Sequence, residues 1–397
     1  MTRPRRVLLI QTQAENAGAQ EITRILGKEL TARGYEVFNL FFYRKSATFA
    51  EQPNTYFCAE QRPSSIAQFA RLVWRLGRHI RDTRPDLILT FQHYGNVIAA
   101  PVARLVSPAP VIANQVSALP TMSRLVRTLD LAFGMLGLFK AVTVNSVDVQ
   151  RTYAALPGPY SDRVVLVAHG FAERKPQLSR HEALAAFGLP EASVLLGCVA
   201  RLHRLKGLDS AIRLLKLNPA WHLALLGQGP DRERLAGLAA QLGVSDRLHF
   251  AGEVAPDQIG NFLSCLDAFV FPTLAETFGL AAVEAAQAGI PVVANDLPVL
   301  REVLCCDGQP AALFVDASKP EEFSAATLRV LQDVKLREAL QQTGRLLKSR
   351  YSVTAMVDDY EKIFERLLTP DRRDATGRAG AARLVYQETN RPRRPPA

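Results

Sequence analysis

Residues 272–291 read PTLAETFGLAAVEAAQAGIP and place Glu276 and Glu284 eight positions apart. The apolar run 266–271 before them is typical of a buried parallel strand. After the first carboxylate, residues 280–288 are rich in Ala and Leu and stop at a glycine, which predicts a helix with its C-terminal punctuation. A strand, a polar loop and a helix N-terminus together offer backbone N–H groups and a positive dipole end to an anion.

Two carboxylates beside an anion-binding turn are an unusual choice for phosphate alone. They fit a ligand that carries both phosphates and hydroxyls, because carboxylates accept hydrogen bonds from hydroxyls. A sugar nucleotide is such a ligand. The alternative is an ordinary strand-to-helix turn, since acids are common at helix N-termini for reasons of the dipole alone.

The run ETFGLAAVE, residues 276–284, resembles the E-x7-E signature of retaining glycosyltransferases of the GT-B fold, above all those of glycosyltransferase family 4. A second motif, RLHRLKG at 201–207, follows the apolar run 194–200 and is similar to the family's R-x4-K-G diphosphate grip. Its four basic side chains in six residues favour an anion site. A solvated basic loop is the other interpretation of the same residues. Two motifs in the right order favour the family.

Two further turns of the second half resemble the same family. The sequence GQGP at 227–230 resembles the G-x-G-P turn that follows the second strand of the nucleotide domain. Gly252, Glu253 and Val254 are similar to the F-x-G-x-V strand end that lines the nucleobase pocket in relatives. The resemblance implies that backbone groups read the base there, so the motif does not indicate which base.

The first half resembles the family less closely. Gly18 lies at the first strand-to-helix turn, where relatives have a glycine-rich loop, but Ala17 stands in place of the second glycine. His93 follows the predicted strand 86–91, at the edge where ligands of open α/β sheets collect. The family often has a histidine facing the cleft near this position. A structural or helix-capping histidine is the alternative.

Two other positions of the first half depart from the family. Many relatives carry a histidine or a charged residue where this chain has Asn114 and Gln115. This departure puts histidine-assisted acceptor chemistry at that point in doubt. His169 replaces the asparagine of the family's N-G turn at the end of the first domain.

Length and composition limit the class of protein. The chain has 397 residues, which is enough for two domains with separate cores, and 48% of them are hydrophobic. The net charge of +10 suits an anionic partner, although part of it lies in the two termini. Five cysteines show neither a paired framework nor metal-ligand spacing. Adjacent Cys305 and Cys306 could form a redox pair, but free thiols in a reducing cytoplasm are the preferred interpretation.

The resemblance implies a GT-B fold, in which two Rossmann-like, doubly wound parallel-sheet α/β domains face each other across a cleft. The predicted organisation is an acceptor-binding domain at 1–172, a linker at 173–192, a sugar-nucleotide domain at 193–352, a returning helix at 353–369 and a disordered basic tail at 370–397. The alternation of predicted strands and helices independently predicts parallel sheets covered on both faces.

The resemblance also implies a role for each motif residue. Arg201 and Lys206 neutralise the diphosphate as it leaves, so no metal and no other cofactor is expected. Glu276 holds hydroxyls of the transferred sugar and Glu284 those of the ribose. The same phosphates are supported by backbone N–H groups at the helix start, those of Phe278, Gly279 and Leu280. His93 and Gly18 contribute from the other domain.

The expected partners are a UDP- or GDP-linked sugar donor and a saccharide or lipid-linked saccharide acceptor, as in polysaccharide or lipopolysaccharide synthesis. A non-catalytic sugar-nucleotide binder and a glycogen- or sucrose-synthase type of enzyme are the alternatives. Nucleic acid is not expected, because the positive charge lacks interleaved aromatic residues.

A cytoplasmic location is expected, with possible contact with the acidic inner face of the membrane. The apolar run 125–144, flanked by Arg124, Arg127 and Lys140, resembles the helix with which some relatives rest on membranes. Packing in the core is the preferred interpretation of this run, because it also predicts a helix that leads into a buried strand. No run approaches the length of a membrane span, and the N-terminal apolar run is too short for a signal peptide.

Overall fold

The computed structural model describes residues 3–15, 18–45, 49, 52–117, 119–191 and 193–369. The chain divides into two compact units. Unit 1 contains the described residues up to Gly170 together with a C-terminal segment that starts at Val353, and unit 2 is Phe171–Ser352. Ala17 and the tail 370–397, for which predictions were made above, lie outside the described residues.

Unit 1 is built on a seven-stranded sheet in which every pairing is parallel. Its strands are β1 (Arg6–Ala14), β2 (Glu36–Arg44), β3 (Thr55–Ala59), β4 (Leu87–Phe91), β5 (Val111–Gln115), β6 (Phe139–Val144) and β7 (Val164–Leu166). The spatial order is β3-β2-β1-β4-β5-β6-β7. All residues of β4 and β5 are buried, as expected for central parallel strands with both faces covered.

Helices connect these strands. They are α1 (Gly18–Ala32), α2 (Ile66–Thr83), α3 (Gln92–Val106), α4 (Arg124–Met135), α5 (Val147–Ala154) and α6 (Gly158–Ser161), with a 3₁₀ turn at Leu119–Thr121. Ser146 caps α5, because its side chain accepts a hydrogen bond from the backbone N–H of Val149. The sequence pattern did not predict β3 or α2, since α2 has a cation at every third or fourth position and no continuous apolar run.

Unit 2 is built on a second parallel sheet, of six strands. Its strands are β8 (Val194–Val199), β9 (Trp221–Leu226), β10 (Leu248–Gly252), β11 (Ala268–Phe271), β12 (Val292–Asn295) and β15 (Ala312–Val315), in the order β10-β9-β8-β11-β12-β15. A short antiparallel hairpin comprises β13 (Cys305–Cys306) and β14 (Gln309–Pro310). The apolar runs 194–200 and 266–271, from which strands were predicted, differ from β8 and β11 by one or two residues at one end.

The helices of unit 2 are α7 (Arg180–Phe187), α8 (Leu208–Leu217), α9 (Arg232–Leu242), α10 (Ile259–Ser264), α11 (Leu280–Gln287), α12 (Pro298–Val303), α13 (Pro320–Gln332) and α14 (Val334–Arg350). Single 3₁₀ turns occur at Arg204–Lys206, Ser245–Arg247 and Pro256–Gln258. Helix α7 lies within the predicted linker and starts with a capping box between Ser179 and Glu182.

The last described helix, α15 (Val353–Leu368), belongs to unit 1 although it follows unit 2 in sequence. Its Tyr360 hydroxyl donates to Asn114 Oδ1 at 2.6 Å. Arg33, in the turn after α1, forms ion pairs with Asp358 at 2.6 Å and with Glu361. These contacts make α15 part of the first unit's structure.

The apolar run 125–144 is only partly a core segment. It divides into α4 and β6, and the residues of α4 that are buried include Val126 and Gly134. Leu125 in the first turn of α4 and Leu136 directly after its end are instead 68% and 74% exposed. No helix of the described chain is both long and apolar enough to cross a bilayer.

Candidate active site

The carboxyl edge of the unit 2 sheet brings the predicted motifs together. Because its six main strands are parallel, their carboxyl ends share one edge. Arg201 follows β8 there, Gly252 ends β10, and Glu276 lies in the loop after β11. The two motifs that define the prediction therefore follow neighbouring strands, since β8 and β11 pair directly.

The two motif loops are in close contact. Gly207, at the end of the basic turn, has φ +61°, and a Cβ added there would lie 2.2 Å from the carbonyl oxygen of Pro272. The backbone N–H of Leu274 donates to the carbonyl of Leu205 at 2.8 Å. Only glycine allows this approach without displacing one of the loops. The glycine of the R-x4-K-G motif is thus required for the two loops to pack against each other.

Two predicted site residues form an ion pair. Lys206 Nζ contacts Glu276 Oε1, and the side chains are 26% and 13% exposed, respectively. The buried Thr273 hydroxyl donates to the same carboxylate oxygen at 3.1 Å, which fixes its orientation. The pair places one cation and one hydroxyl-binding group side by side at the sheet edge. Such a pair can serve one ligand that carries both a diphosphate and a sugar.

The sequence analysis assigned no role to Asn295, which supports the same loop. Its amide Nδ2 donates to the carbonyl of Thr273 at 2.9 Å, and its Oδ1 accepts from the N–H of Ala317 at 3.1 Å. Asn295 is the last residue of β12 and is buried. An asparagine at the end of a strand is common, so its position alone could not have identified this role.

The start of α11 has the predicted backbone geometry. Gly279 is the N-cap residue with φ +87° and has no side chain with which to cap, and Leu280 is the first helical residue. The ring of Phe278 is buried against Phe171 and Tyr351, at centroid distances of 6.1 and 5.0 Å. The Phe278 side chain is therefore a core group. What Phe278 can offer a ligand is its backbone, as the prediction specified.

Glu284 lies on the second turn of α11 and is buried in an ion pair that the sequence analysis did not predict. Arg174 Nε donates to Glu284 Oε1 at 2.7 Å, and the two side chains are only 10% and 9% exposed. The Arg174 guanidinium also donates to the carbonyl of Pro256 at 3.1 Å. Arg174 lies in the predicted linker beside Lys175, and nothing in the sequence distinguishes the two cations.

The turn at 227–230 of this edge also relies on close backbone approach. A Cβ on Gly227 would lie 2.1 Å from the carbonyl oxygen of Ala200, and one on Gly229 equally close to that of Leu202. Gly252 has φ +75° at the end of β10. It is followed by Glu253, which is exposed, and Val254, which is half-buried.

Cys198 lies close to the ion pair but is not a nucleophile. Its thiol is buried in β8, and burial raises its pKa to about 12, so it stays protonated at neutral pH. Within the described part of the chain, no group of three or more His, Cys, Asp or Glu side chains is placed to hold a metal ion.

In unit 1, His93 is the second residue of α3, directly after β4. Burial lowers its pKa, so the imidazole is neutral at physiological pH. The preceding Gln92 has φ +64°, an uncommon conformation for a residue other than glycine, at the turn that aims His93. Gly18 is the first residue of α1 and is exposed. The structure thus places both residues at strand-to-helix turns of unit 1.

Asn114 and Gln115, the departures from the family, belong to a buried polar cluster. Asn114 Nδ2 donates to the carbonyl of Thr90 at 3.0 Å, in addition to the bond from α15 described above. Gln115 Nε2 donates to Asp130 Oδ1 at 2.8 Å, and the Tyr160 hydroxyl donates to the other carboxylate oxygen at 2.7 Å. These bonds tie strands to helices. They account structurally for two positions where relatives have other residues.

His169, the third departure, is also a buried structural group. One of its ring nitrogens lies 2.9 Å from Asn145 Nδ2. Burial lowers the pKa of His169 to about 3, so it carries no charge at neutral pH.

Comparisons with known proteins agree with this geometry. The family model described as "Glycosyl transferases group 1" matches residues 179–347, which contain the paired motif loops. The chain is 30% identical over 210 residues to a D-inositol 3-phosphate glycosyltransferase of Corynebacterium jeikeium, over 49% of this chain and 48% of the relative. The chain thus spans about half the length of that relative.

A second relative is matched over most of its length. The lipopolysaccharide core biosynthesis glycosyltransferase LpsD of Rhizobium meliloti is 28% identical over 306 residues, which cover 77% of this chain and 82% of LpsD. Among solved structures, HepE of Anabaena in complex with UDP and glucose superposes with a TM-score of 0.78 at 18% identity, over 90% of this chain and 99% of HepE. Both units therefore have the parallel-sheet α/β fold of the GT-B structures, as the sequence predicted.

Proposed function

We propose that this protein is a glycosyltransferase that moves a sugar from a nucleotide-sugar donor to a saccharide or lipid-linked saccharide acceptor. The observation that carries the proposal is the contact between Lys206 and Glu276, on two loops that meet at the carboxyl edge of one sheet. A cation for phosphate beside a carboxylate for hydroxyls matches the two chemical halves of a sugar nucleotide. The match to the glycosyl transferases group 1 model and the relatedness to LpsD support it.

Each residue has a defined task in this proposal. Lys206 and Arg201 bind the diphosphate and stabilise the negative charge that it gains as the bond to the sugar breaks. Backbone N–H groups at Gly279 and Leu280 add the positive end of the α11 dipole. When Lys206 turns to the diphosphate, Glu276 is released to accept hydrogen bonds from hydroxyls of the transferred sugar.

Retention of the anomeric configuration belongs to the proposal, as does membership of family 4. The acceptor hydroxyl attacks on the face from which the diphosphate departs, and Glu276 positions the sugar without becoming covalently attached. Because two cations can balance the diphosphate, the reaction is proposed to need no metal and no other cofactor. HepE was solved with UDP and glucose, which makes UDP the first nucleotide to test.

Calorimetric titration with UDP, GDP and ADP, in the presence of EDTA, tests the donor site. We expect one of the three to bind and Arg201→Ala to weaken that binding by about 10- to 100-fold, because it removes one charge-assisted contact. Arg329→Ala, which removes an exposed cation from α13, is the matched control. Equal affinity of Arg201→Ala and wild type would contradict the assignment of the basic turn to phosphate.

Turnover distinguishes an enzyme from a sugar-nucleotide binder. We expect slow release of UDP or GDP from the corresponding sugar nucleotide even without acceptor, with water taking the acceptor's place, and faster release when a saccharide acceptor is added. A protein that binds the nucleotide but releases none from its sugar conjugate under either condition is the non-catalytic alternative.

Contact with an acidic membrane is the second part of the proposal. Helix α3 packs against both α2 and α4, and this helical layer carries exposed apolar residues. Ile66 and Trp74 of α2 are 90% and 57% exposed, and the Arg78 guanidinium stacks 5.7 Å from the Trp74 ring centroid. Exposed apolar side chains among arginines suit the interface of an anionic bilayer, where a lipid-linked acceptor is found.

Sedimentation with lipid vesicles tests this contact. We expect binding to vesicles with phosphatidylglycerol and little binding to pure phosphatidylcholine, since the arginines need an anionic partner. Trp74→Ala is expected to reduce the bound fraction several-fold, whereas Trp221→Phe in the buried β9 serves as control. Equal binding to both kinds of vesicle would contradict an electrostatic contact.

A further inference from the structure

Residues 175–178, near the N-terminal end of unit 2, are anchored to helix α10. The side chain of buried Asn261 accepts hydrogen bonds from the backbone N–H groups of Gln177 at 2.6 Å and Leu178 at 3.0 Å. A Cβ on Gly260 would lie 2.5 Å from the carbonyl oxygen of Lys175, so glycine is required for this approach. The backbone around residue 174 is therefore held both by the Asn261 hydrogen bonds and by close packing against Gly260.

From this anchored backbone, the Arg174 side chain reaches two different parts of the edge. One contact is with Glu284 on α11, and the other is with the carbonyl of Pro256 in the 3₁₀ turn that closely follows the Gly252–Val254 segment. The resemblance described in the sequence analysis implies that the first part binds the ribose and that the second lines the base. Arg174 is the group that joins them.

The chemistry requires an arginine at this position. A planar guanidinium can donate to a carboxylate and to a carbonyl at the same time in fixed directions, whereas an ammonium acts as a point charge. Both Arg174 and Glu284 are about nine-tenths buried, so each charge depends on the other for compensation. A carboxylate held in one rotamer loses less entropy when it accepts hydrogen bonds from a ligand.

We infer that Arg174 is a positioning residue of the nucleoside subsite, which orients the Glu284 carboxylate toward the ribose hydroxyls and ties it to the base-lining turn. The inference rests on the proposed function. It assigns to the N-terminal segment of unit 2 a part in donor recognition that neither motif contains. Arg174 itself acts through Glu284 and is not a catalytic residue.

The test compares ligands that differ only in the ribose hydroxyls. Titrations use UDP, GDP and ADP, their 2′,3′-dideoxy analogues, and inorganic pyrophosphate. For the nucleotide that binds wild-type protein, we expect removal of the hydroxyls to reduce affinity at least about 10-fold, the scale of a hydrogen bond to a charged group. In Arg174→Met we expect the ratio of the affinity for the nucleotide to that for its dideoxy analogue to fall toward one. The affinity for pyrophosphate should stay within about twofold of the wild-type value.

Three variants make the result specific. Glu284→Gln is expected to show the same loss of discrimination as Arg174→Met, and the two changes together no more than either alone. Arg174→Lys restores the charge without the second hydrogen bond and should give an intermediate ratio. Lys175→Met removes the neighbouring exposed cation and should keep the wild-type ratio.

The outcomes separate this inference from the proposed function. If wild type binds a nucleotide and Arg174→Met keeps the wild-type ratio, the inference is overturned and the donor site stands. If wild type binds none of the three nucleotides, the proposed function is overturned, and the inference with it. Should Arg174→Met fail to fold, Arg174→Lys decides, because an unchanged ratio in that variant also overturns the inference.

Discussion

The carboxyl edges of the two sheets differ in the chemistry of their side chains. At the edge of unit 2, charged residues from separate loops are paired, as in Lys206 with Glu276. At the edge of unit 1, Lys45 after β2 does pair with Glu15 after β1. The central strands β4 and β5 instead end among amides, hydroxyls, the Asp130 carboxyl and a neutral imidazole, and most of these groups bond to the protein's own backbone and side chains. Both sheets are parallel and both edges follow the same βα geometry.

We therefore expect the charged part of a substrate to bind the paired loops of unit 2 and not the amide cluster of unit 1. An ion pair across two loops can be opened by a ligand that brings its own charge, because the ligand's phosphate replaces the carboxylate as partner of the lysine. A buried amide cluster gains nothing from opening, since each broken hydrogen bond leaves a buried polar atom unsatisfied. The comparison therefore predicts that substitutions at the paired edge of unit 2 mainly reduce ligand binding and sugar transfer. Substitutions in the amide cluster of unit 1 should mainly reduce stability.

The largest effect is expected from Glu276→Gln, which keeps the shape of the side chain and removes its charge. We expect the rate of sugar transfer to fall at least about 100-fold, comparable to the loss of one group that stabilises a transition state. The melting temperature should change little, because Lys206 remains partly exposed to water. Glu233→Gln on the surface of α9 is the control. Unreduced transfer by Glu276→Gln would remove this residue from the site.

A smaller effect is expected from Gly207→Ala, which separates the docked loops. The new Cβ collides with the Pro272 carbonyl, and φ +61° is unfavourable for alanine. We expect a loss of about 1–3 kcal/mol in the free energy of unfolding together with weaker nucleotide binding. Gly243→Ala is a matched control, because its φ is +69° but no atom lies within 4 Å of its Cβ. Equal losses in both variants would show that backbone strain, and not loop contact, is responsible.

The smallest effect on ligand binding is expected from Asp130→Asn in unit 1. Burial raises the pKa of the Asp130 carboxyl above its ordinary value of 3.8. The native state therefore holds this proton more tightly than the unfolded state, and the resulting stabilisation is complete below the unfolded pKa and is lost as the pH rises through the folded pKa. Asparagine does not titrate in this way.

The stability of wild type relative to Asp130→Asn should consequently be greatest in acid and decline toward neutral pH. The decline amounts to about 1.4 kcal/mol for each tenfold difference in the proton affinity of Asp130 between the native and unfolded states. Urea denaturation of both proteins over this pH range measures the difference. Nucleotide affinity should be the same in the two proteins. A variant that lost nucleotide binding would contradict the division of labour between the units.

Much of this arrangement could be predicted from the sequence, because the strands of parallel sheets are nearly continuous apolar runs and their ends place the motifs. The E-x7-E and R-x4-K-G spacings identified Glu276 and Lys206 before any contact between them was known. The fold prediction of two parallel-sheet domains was confirmed. The separate tasks assigned to the two residues remain a prediction.

Other features depend on contacts between residues distant in sequence and could not be predicted. Arg174 and Glu284 are 110 positions apart, and only the folded chain shows that the arginine is buried against the carboxylate. Helix α2 was missed for a different reason, since its many arginines hide a buried stripe that includes Leu72 and Leu76. The helical spacing of apolar residues is present in α2, but arginines lie between them in sequence.

Helix α15 has a consequence for how the protein is made. It is the last described element of the chain, yet its Tyr360 completes the bonding of Asn114 in the middle of unit 1. During synthesis on the ribosome, unit 2 emerges as an uninterrupted segment and can fold as soon as it is complete, whereas unit 1 must wait for the final helix although most of it was made first. We therefore expect a nascent chain arrested before residue 353 to display a folded second unit and an unfinished, protease-sensitive first unit.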